Sequence, residues 1–258
     1  MLIAQVTDIH IGVRSDCATA KIANIERLAN TFRQISKLQQ QPDLIVFTGD
    51  ITESGSIAEY RAFAENLSAD IPCIVLPGNH DLIENMRVVL EPRGIVSNTH
   101  FLSRGDTSLL VVGLDSSVQG ESHGFLSGDE LSRLASTLRE HSSTPTLLAL
   151  HHPPINCGVD RLDRINLTNA VELANVIAPH DQVVGIMTGH YHRAIFAKWN
   201  TTAVAVCPSV ARPLALNLVS GDICYANGAP GFMLHRWDGE CLVSAVVEVE
   251  LEGSLPRC

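Results

Sequence analysis

The sequence predicts an α/β fold built on a largely parallel sheet, and three observations carry that prediction. From Leu2 to Leu76, short apolar runs alternate with helix-periodic stretches in the order strand, helix, strand, helix, strand, the pattern of successive βαβ units. The 258 residues are 45% hydrophobic and 18% charged, a globular composition with enough apolar material for one large core. The apolar runs also stop at short polar segments rich in Asp, Asn and His. In a parallel sheet the strand C-termini share one edge, and that edge is where open α/β sheets place their sites.

Leu2–Val6 is the first strand and leads into Asp8-Ile9-His10. If strand geometry continues there, alternation aims Asp8 and His10 to one side. Ile22, Ile25, Leu28, Phe32, Ile35 and Leu38 recur at spacings of three and four, one face of a helix, and Pro42 ends the connection. Leu44–Phe47 is a second buried strand and stops at Thr48-Gly49-Asp50. A second helix runs from Ser56 to Leu67 with Ile57, Tyr60, Phe63 and Leu67 inward. Ile71–Leu76 is the third strand, and it breaks at Pro77-Gly78 before Asn79-His80-Asp81.

After a helix over Ile83–Leu90, Leu109–Val112 is a strand followed by Gly113-Leu114-Asp115-Ser116. Leu131, Leu134 and Leu138 mark a helix over Gly128–Glu140. Thr146–Leu150 is a strand ending in His151-His152-Pro153-Pro154. Ile155–Asn166 is polar and turn-rich, a loop beside the site, and Ala170, Ala174 and Ile177 mark a short helix. Val183–Met187 is a strand ending in Thr188-Gly189-His190-Tyr191-His192. Beyond Ala194, the runs Ala203–Val206, Gly231–Leu234 and Leu242–Val249 read as antiparallel strands. No repeat or linker interrupts the chain, so residues 1–258 read as a single domain.

Composition excludes several functions. The net charge is −10 and no Lys/Arg run exists, which argues against a nucleic acid polymer as partner. No apolar run reaches the roughly 18 residues of a membrane helix, and the N-terminal residues lack a signal peptide's basic and apolar segments. Seven cysteines without CxxC spacing read as reduced thiols of a cytoplasmic protein, not as disulfides or a thiolate zinc site.

Five strand ends supply Asp8, His10, Asp50, Asn79, His151, His190 and His192. Any one of these residues is ordinary; the recurrence is not. The donors are oxygen and nitrogen only, which suits Mn, Fe, Zn or Co. Seven donors exceed one tetrahedral site and match two divalent ions if Asp50 bridges them, one oxygen to each. Two such ions about 4 Å apart bind phosphate oxygens and lower the pKa of a shared water, giving a nucleophile at neutral pH. The charge left by two carboxylates suits a phosphodiester monoanion. His151 and His152 are neighbours in an extended segment, so one of the two faces the metals.

The ordered set Asp8-x-His10, Gly49-Asp50, Gly78-Asn79-His80-Asp81, His151-His152 and Gly189-His190-x-His192 resembles the calcineurin-like metallophosphoesterase superfamily. Asp-Ile-His, Gly-Asp-Ile-Thr-Glu-Ser-Gly, Leu-Pro-Gly-Asn-His-Asp, His-His-Pro-Pro and the Met-Leu-His-Arg run at Met233–Arg236 resemble its class III cyclic nucleotide phosphodiesterases and bacterial glycerophosphodiesterases. The resemblance implies a sandwich of two β-sheets flanked by helices, with a dimetal site at the sheet edge. It implies one metal on Asp8, His10 and His192, the other on Asn79, His151 and His190, and Asp50 between them. It implies that His80 does not ligate but assists the transition state or protonates the leaving alkoxide. His152 is then a packed or supporting residue. Asp81 and Asp115 orient ligands or cap turns. Glu53, Arg14, Asp160, Asp163 and Asn169 read as solvated loop residues.

The expected activity is metal-dependent hydrolysis of small phosphodiesters, cyclic nucleotides such as 3′,5′- or 2′,3′-cAMP or glycerophosphodiesters, in a homo-oligomer of two or more chains. The rivals are a phosphomonoesterase of the same superfamily and a non-catalytic scaffold. Gly49-Asp50-Ile51-Thr52-Glu53-Ser54-Gly55 is unlike the Gly-Asp-x-Val-Asp-Arg-Gly of protein phosphatases, and a scaffold would usually have lost ligands. Between Cys207 and Gly231 the chain departs from the resemblance, with no His and few charges in a region that shapes the relatives' substrate pocket.

Overall fold

The computed structural model describes residues 1–12, 24–67, 71–95, 98–215, 218, 223–226 and 228–250. In chain order the strands are β1 (Leu2–Val6), β2 (Leu44–Thr48), β3 (Cys73–Leu76), β4 (Thr99–Arg104), β5 (Thr107–Gly113), β6 (Thr146–Ala149), β7 (Val183–Thr188), β8 (Ile195–Trp199), β9 (Thr202–Val206), β10 (Gly231–Trp237) and β11 (Leu242–Glu248). The helices are α1 (Asn24–Ser36), α2 (Ile57–Glu65), α3 (Ile83–Leu90), α4 (Gly128–Glu140), α5 (Asp160–Asp163) and α6 (Ala170–Ile177). They form two mixed sheets. The first has the order β11-β10-β1-β2-β3 and the second β4-β5-β6-β7-β9-β8.

β1, β2 and β3 run parallel, as do β5, β6 and β7. Strand alternation then sorts each apolar run between two cores. Ile3, Leu44, Val46, Ile74 and Leu76 of the first sheet meet Leu109, Val111, Leu147, Ala149 and Met187 of the second, the layer between the sheets. Ala4, Val6, Ile45, Phe47 and Val75 face outward onto Leu28 and Ile35 of α1, Tyr60 and Phe63 of α2, and Met86 and Leu90 of α3. Leu110, Val112, Leu148 and Ile186 face outward onto Leu134 and Leu138 of α4 and Leu173 and Ile177 of α6. The result is helices, sheet, sheet, helices, the flanked sandwich expected.

Several expectations change. Ser56 is the N-cap of α2 and not its first residue: its Oγ accepts from Glu59 N, and the Glu59 carboxylate accepts from Ser56 N. β3 begins at Cys73, not Ile71, and the Ile22 end of the first helix lies outside the described residues. The expected loop over Ile155–Asn166 contains the short helix α5. β9 is antiparallel to β8 but parallel to β7, so it continues the second sheet's parallel set. β4 and β8 lack a continuous apolar run, and two-residue turns at Gly105-Asp106 and Asn200-Thr201 fold them onto β5 and β9.

A polar seam crosses the apolar layer. Gln5 on β1 is fully buried. Its Nε2 donates to Thr48 Oγ1 (2.9 Å) and to Thr188 O at the end of β7 (2.9 Å), tying one sheet to the other. Its Oε1 accepts from His235 Nε2 on β10 (3.0 Å), and His235 Nδ1 accepts from Ser244 Oγ (2.8 Å). Burial pushes the His235 imidazole down from 6.5 to about 4.

Asp81 makes a second knot at the strand ends. Its carboxylate accepts from Ile51 N (3.0 Å), Thr52 N (3.1 Å), Thr52 Oγ1 (2.9 Å), Tyr60 Oη (2.9 Å) and Gly78 N (2.9 Å). The loops after β2 and β3 are thus held against α2 by one side chain.

Two outcomes follow for urea unfolding. Asp81→Ala strands buried donors and lowers stability by about 3 kcal/mol or more. His235 is neutral in the folded state, while the unfolded chain binds a proton below pH 6.5. Its contribution is complete above pH 6.5 and is lost as pH falls toward 4, roughly 3 kcal/mol across that window. His235→Gln therefore unfolds with a shallower pH dependence there than the parent; equal slopes would rule the account out.

Candidate metal centre

The candidate ligands sit on the segments that leave β1, β2, β3, β6 and β7. Backbone hydrogen bonds stitch neighbouring segments together: Asp8 N to Gly49 O (3.0 Å), His10 N to Asp50 O (3.0 Å) and Gly189 N to His151 O (3.0 Å). Strand geometry does not continue past β1. Asp8 (φ 51°), His10 (φ 50°), Asp50 (φ 50°), His190 (φ 71°) and His192 (φ 52°) are all left-handed, and among the described residues Asn200 is the only other non-glycine with positive φ. Asp8 and His10 therefore converge through two tight reversals and not through strand alternation. Each such residue costs on the order of 1 kcal/mol. Glycine permits the closest approaches: a Cβ at Gly49 (φ 95°) would sit 2.5 Å from His151 Nδ1, and one at Gly78 would sit 2.3 Å from Asp50 Oδ1.

The donors gather in two groups that meet at one atom. In the first, His10 Nε2 lies 3.1 Å from His192 Nε2 and 3.4 Å from Asp50 Oδ2, and His192 Nε2 lies 3.3 Å from Asp8 Oδ1. In the second, His151 Nε2 lies 3.2 Å from His190 Nδ1, 3.3 Å from Asn79 Oδ1 and 3.5 Å from Asp50 Oδ2. Donors about 2.0–2.2 Å from a common ion stand about 3.0–3.5 Å from one another in tetrahedral or octahedral geometry. The observed separations are edges of that kind. Asp50 differs from expectation: Oδ2 alone faces both groups, while Oδ1 accepts from His80 N (2.9 Å).

Outer contacts fix which nitrogen each ring presents. Nδ1–H of His151 donates to Thr48 O (2.7 Å), that of His192 to Arg212 O (3.0 Å), and that of His10 to Glu53 Oε2 (2.8 Å). Each bond leaves an Nε2 lone pair for the centre. His190 is turned the other way and presents Nδ1; its Nε2 is buried without a hydrogen-bond partner. Asp8 is held by Thr7 Oγ1 (2.8 Å) and His190 N (2.9 Å). By donor type and spacing, Asp8, His10, Asp50 and His192 form one buried cluster suited to a metal ion and His151, His152 and His190 another, with Asn79 Oδ1 beside the second.

The electrostatics agree with that use. Burial opposes ionisation of Asp50, but His151 and His10 outweigh it and hold the carboxyl well below its usual range. Asp8 is likewise lowered, against burial, by His192. Burial first, then the neighbouring His151 imidazole, pushes His190 down to about 3, so its ring is neutral.

The remaining candidates separate clearly. His80 is half-exposed at the mouth, its Nδ1–H donating to Glu53 O (3.0 Å). His152 Nδ1 pairs with Ser116 Oγ (2.9 Å), while its ring packs on His151 and His190 and its Nε2 is buried without a hydrogen-bond partner, within reach of the second group. Asp115 caps a turn through Ser117 N and Oγ. Asp163 accepts from Cys157 N and Gly158 N, and Asn169 pairs with the backbone of Leu126. Asp160 opens α5, and Arg14 lies outside the described residues.

Glu53 overturns its reading as a solvated charge. Besides receiving His10 Nδ1–H, its carboxylate stands 3.6 Å from His80 Nδ1. Burial opposes it, but the His10 bond and the His80 ring hold its pKa down. The available signal was its place three residues after Asp50 on the same loop. Tyr225 also reaches the site, its ring 6.4 Å from that of His192. Nothing in the sequence around it marks it.

Residues 1–194 match the calcineurin-like phosphoesterase family. The chain is 34% identical over 245 residues to a probable glycerophosphodiester phosphodiesterase of Arcobacter nitrofigilis, covering 93% of this chain and 90% of the relative. It is 35% identical over 208 residues to the 3′,5′-cyclic adenosine monophosphate phosphodiesterase of Escherichia coli K12, covering 80% and 75%. A dimetal phosphatase from Danio rerio shares the fold, with a TM-score of 0.63 at 12% identity over 97% of this chain and 99% of that one. With its motifs drawn to one edge of a two-sheet sandwich, the chain belongs to the calcineurin-like phosphoesterase family.

Proposed function

We propose that this chain is a dimetal phosphodiesterase that hydrolyses small phosphodiesters, cyclic nucleotides or glycerophosphodiesters. The observation that carries the reading is Asp50 Oδ2, set 3.4 Å from His10 Nε2 of one donor group and 3.5 Å from His151 Nε2 of the other. Asp8, His10 and His192 hold one ion, Asn79, His151 and His190 the second, and Asp50 joins them. The nitrogen and oxygen donor set accepts Mn, Fe, Zn or Co. Two divalent ions bound there supply positive charge for the phosphoryl oxygens and a lowered pKa for water.

The protein's own groups do the rest. Asp8, Asp50 and Glu53 bring three carboxylates against those charges, leaving a weakly positive site that a phosphodiester monoanion complements. Glu53 fixes the His10 ring through Nδ1. His80, tied to Glu53 O at Nδ1, offers Nε2 to the leaving oxygen and moves a proton onto it. The shared layer between the sheets supports one catalytic domain over residues 1–258. The free thiols of Cys73, Cys157, Cys207, Cys224 and Cys241 fit a cytoplasmic location. No helix among the described residues is long and apolar enough to cross a membrane. The edge strand β11 exposes Val243 and Val246, which fits a homo-oligomer.

Hydrolysis of bis(p-nitrophenyl) phosphate beside p-nitrophenyl phosphate tests the reading. Metal-stripped protein is inactive, Mn²⁺ restores turnover with the diester favoured, and Asn79→Ala or Asp50→Ala loses at least ~100-fold. Preference for the monoester would replace the reading with a phosphomonoesterase, and silence with every metal would leave a binding protein. His80→Ala keeps full metal content. It slows an alkyl diester roughly 100-fold and bis(p-nitrophenyl) phosphate far less, because a nitrophenolate departs without a proton. Equal losses on both substrates would remove His80 from that role.

A further inference from the structure

The chain between Cys207 and Gly231 departs from the sequence pattern, and its described part closes over one side of the metal centre. Val210 N donates to Thr7 O (3.1 Å) and Ala211 N to Asp8 O (2.9 Å), so this strap lies directly on the loop after β1. Arg212 O takes the Nδ1–H of His192. Arg27 on α1 pins both ends of the strap: its guanidinium is buried and donates to Val210 O (2.6 Å), Ala211 O (3.1 Å) and Gly228 O (3.3 Å). Within the strap, Leu214 and Tyr225 form an antiparallel bridge, flanked by Ala215 N to Cys224 O (2.7 Å) and Ala226 N to Pro213 O (2.7 Å).

This fixed backbone sets an aromatic ring beside the centre. Tyr225 is 58% exposed, large for a tyrosine whose ring lies 6.4 Å from a candidate ligand. The Arg212 guanidinium carbon stands 5.6 Å from the centre of that ring, a cation on one face. The guanidinium stands over the ring, and the residue stays more than half exposed, open to a partner. An exposed aromatic face held rigidly is suited to stack a planar base. A nucleotide carries its base one sugar ring from its phosphate, and the Tyr225 ring lies beside that of the candidate ligand His192.

We infer that Tyr225 is a base-stacking platform, positioned by Arg212, that selects nucleotide-derived phosphodiesters over diesters of glycerol. The inference rests on the phosphodiesterase reading for its substrate class, and binding tests it separately from turnover.

Calorimetry on Mn²⁺-loaded protein compares a slowly hydrolysed adenosine 3′,5′-cyclic phosphorothioate with base-free ribose 3′,5′-cyclic phosphorothioate. The wild type binds the base-bearing ligand roughly tenfold more tightly. Tyr225→Ala brings the two affinities together, Tyr225→Phe keeps the ratio, and Tyr225→Trp holds or raises it. Equal affinities in the wild type would overturn the inference. So would an unchanged ratio in Tyr225→Ala, or a variant that weakens both ligands alike. Bis(p-nitrophenyl) phosphate turnover, run on the same samples, tells a failed platform from a failed phosphodiesterase.

Discussion

The structure depends on holding seven polar donors within 3.1 to 3.5 Å of their neighbours inside a protein. Lone pairs at that spacing repel, and burial deprives them of water. Much of the local architecture answers this constraint. Left-handed turns at Asp8, His10, Asp50, His190 and His192 point side chains inward that an extended backbone would splay apart. Thr48 O, Arg212 O and Glu53 fix three imidazoles in the tautomer with a free Nε2. Asp81 holds the loops that present Asp50 and Asn79. Such strain persists only where the surroundings over-determine it.

The division of labour among elements is equally physical. The parallel strands bring their C-terminal ends to one edge, and the apolar layers behind them supply rigidity. Chemistry then sits in short loops, each only a few residues from a strand. The strap with Arg212 and Tyr225 follows another rule. It is anchored at both ends by one buried arginine, and the exposed aromatic side chain it carries stands outside the ligand set. The strap also meets the centre directly, because Arg212 O takes the Nδ1–H of His192.

The alternation of β1, α1, β2, α2 and β3 is legible because each strand is a continuous apolar run and each helix has one apolar face. The donor set is legible because its members sit at strand ends, where a turn is expected and charge is not. What the sequence hides depends on the third dimension. β4 and β8 alternate weakly and are edge strands, recognisable only from their two-residue turns. Aspartate and histidine adopt left-handed backbone more readily than most residues, but nothing in the sequence marks which of them do. Glu53 looks like any loop carboxylate until the His10 ring turns toward it. Gln5 reads as an irregularity in an apolar strand, yet its amide joins two sheets. Tyr225 belongs to no ligand motif and comes beside His192 on the strap that Arg27 anchors.

Gln5 and the ligand distribution have a joint consequence. The first donor group takes Asp8 and His10 from one sheet and His192 from the other; the second takes Asn79 from one and His151 and His190 from the other. Neither group can be completed within a single sheet. A slip of one sheet over the other by one residue, about 3.3 Å, would exceed the tolerance of both at once. The centre is therefore a vernier: its completeness reports the alignment of two β-sheets, and the buried Gln5 amide is the stop against which that alignment is set.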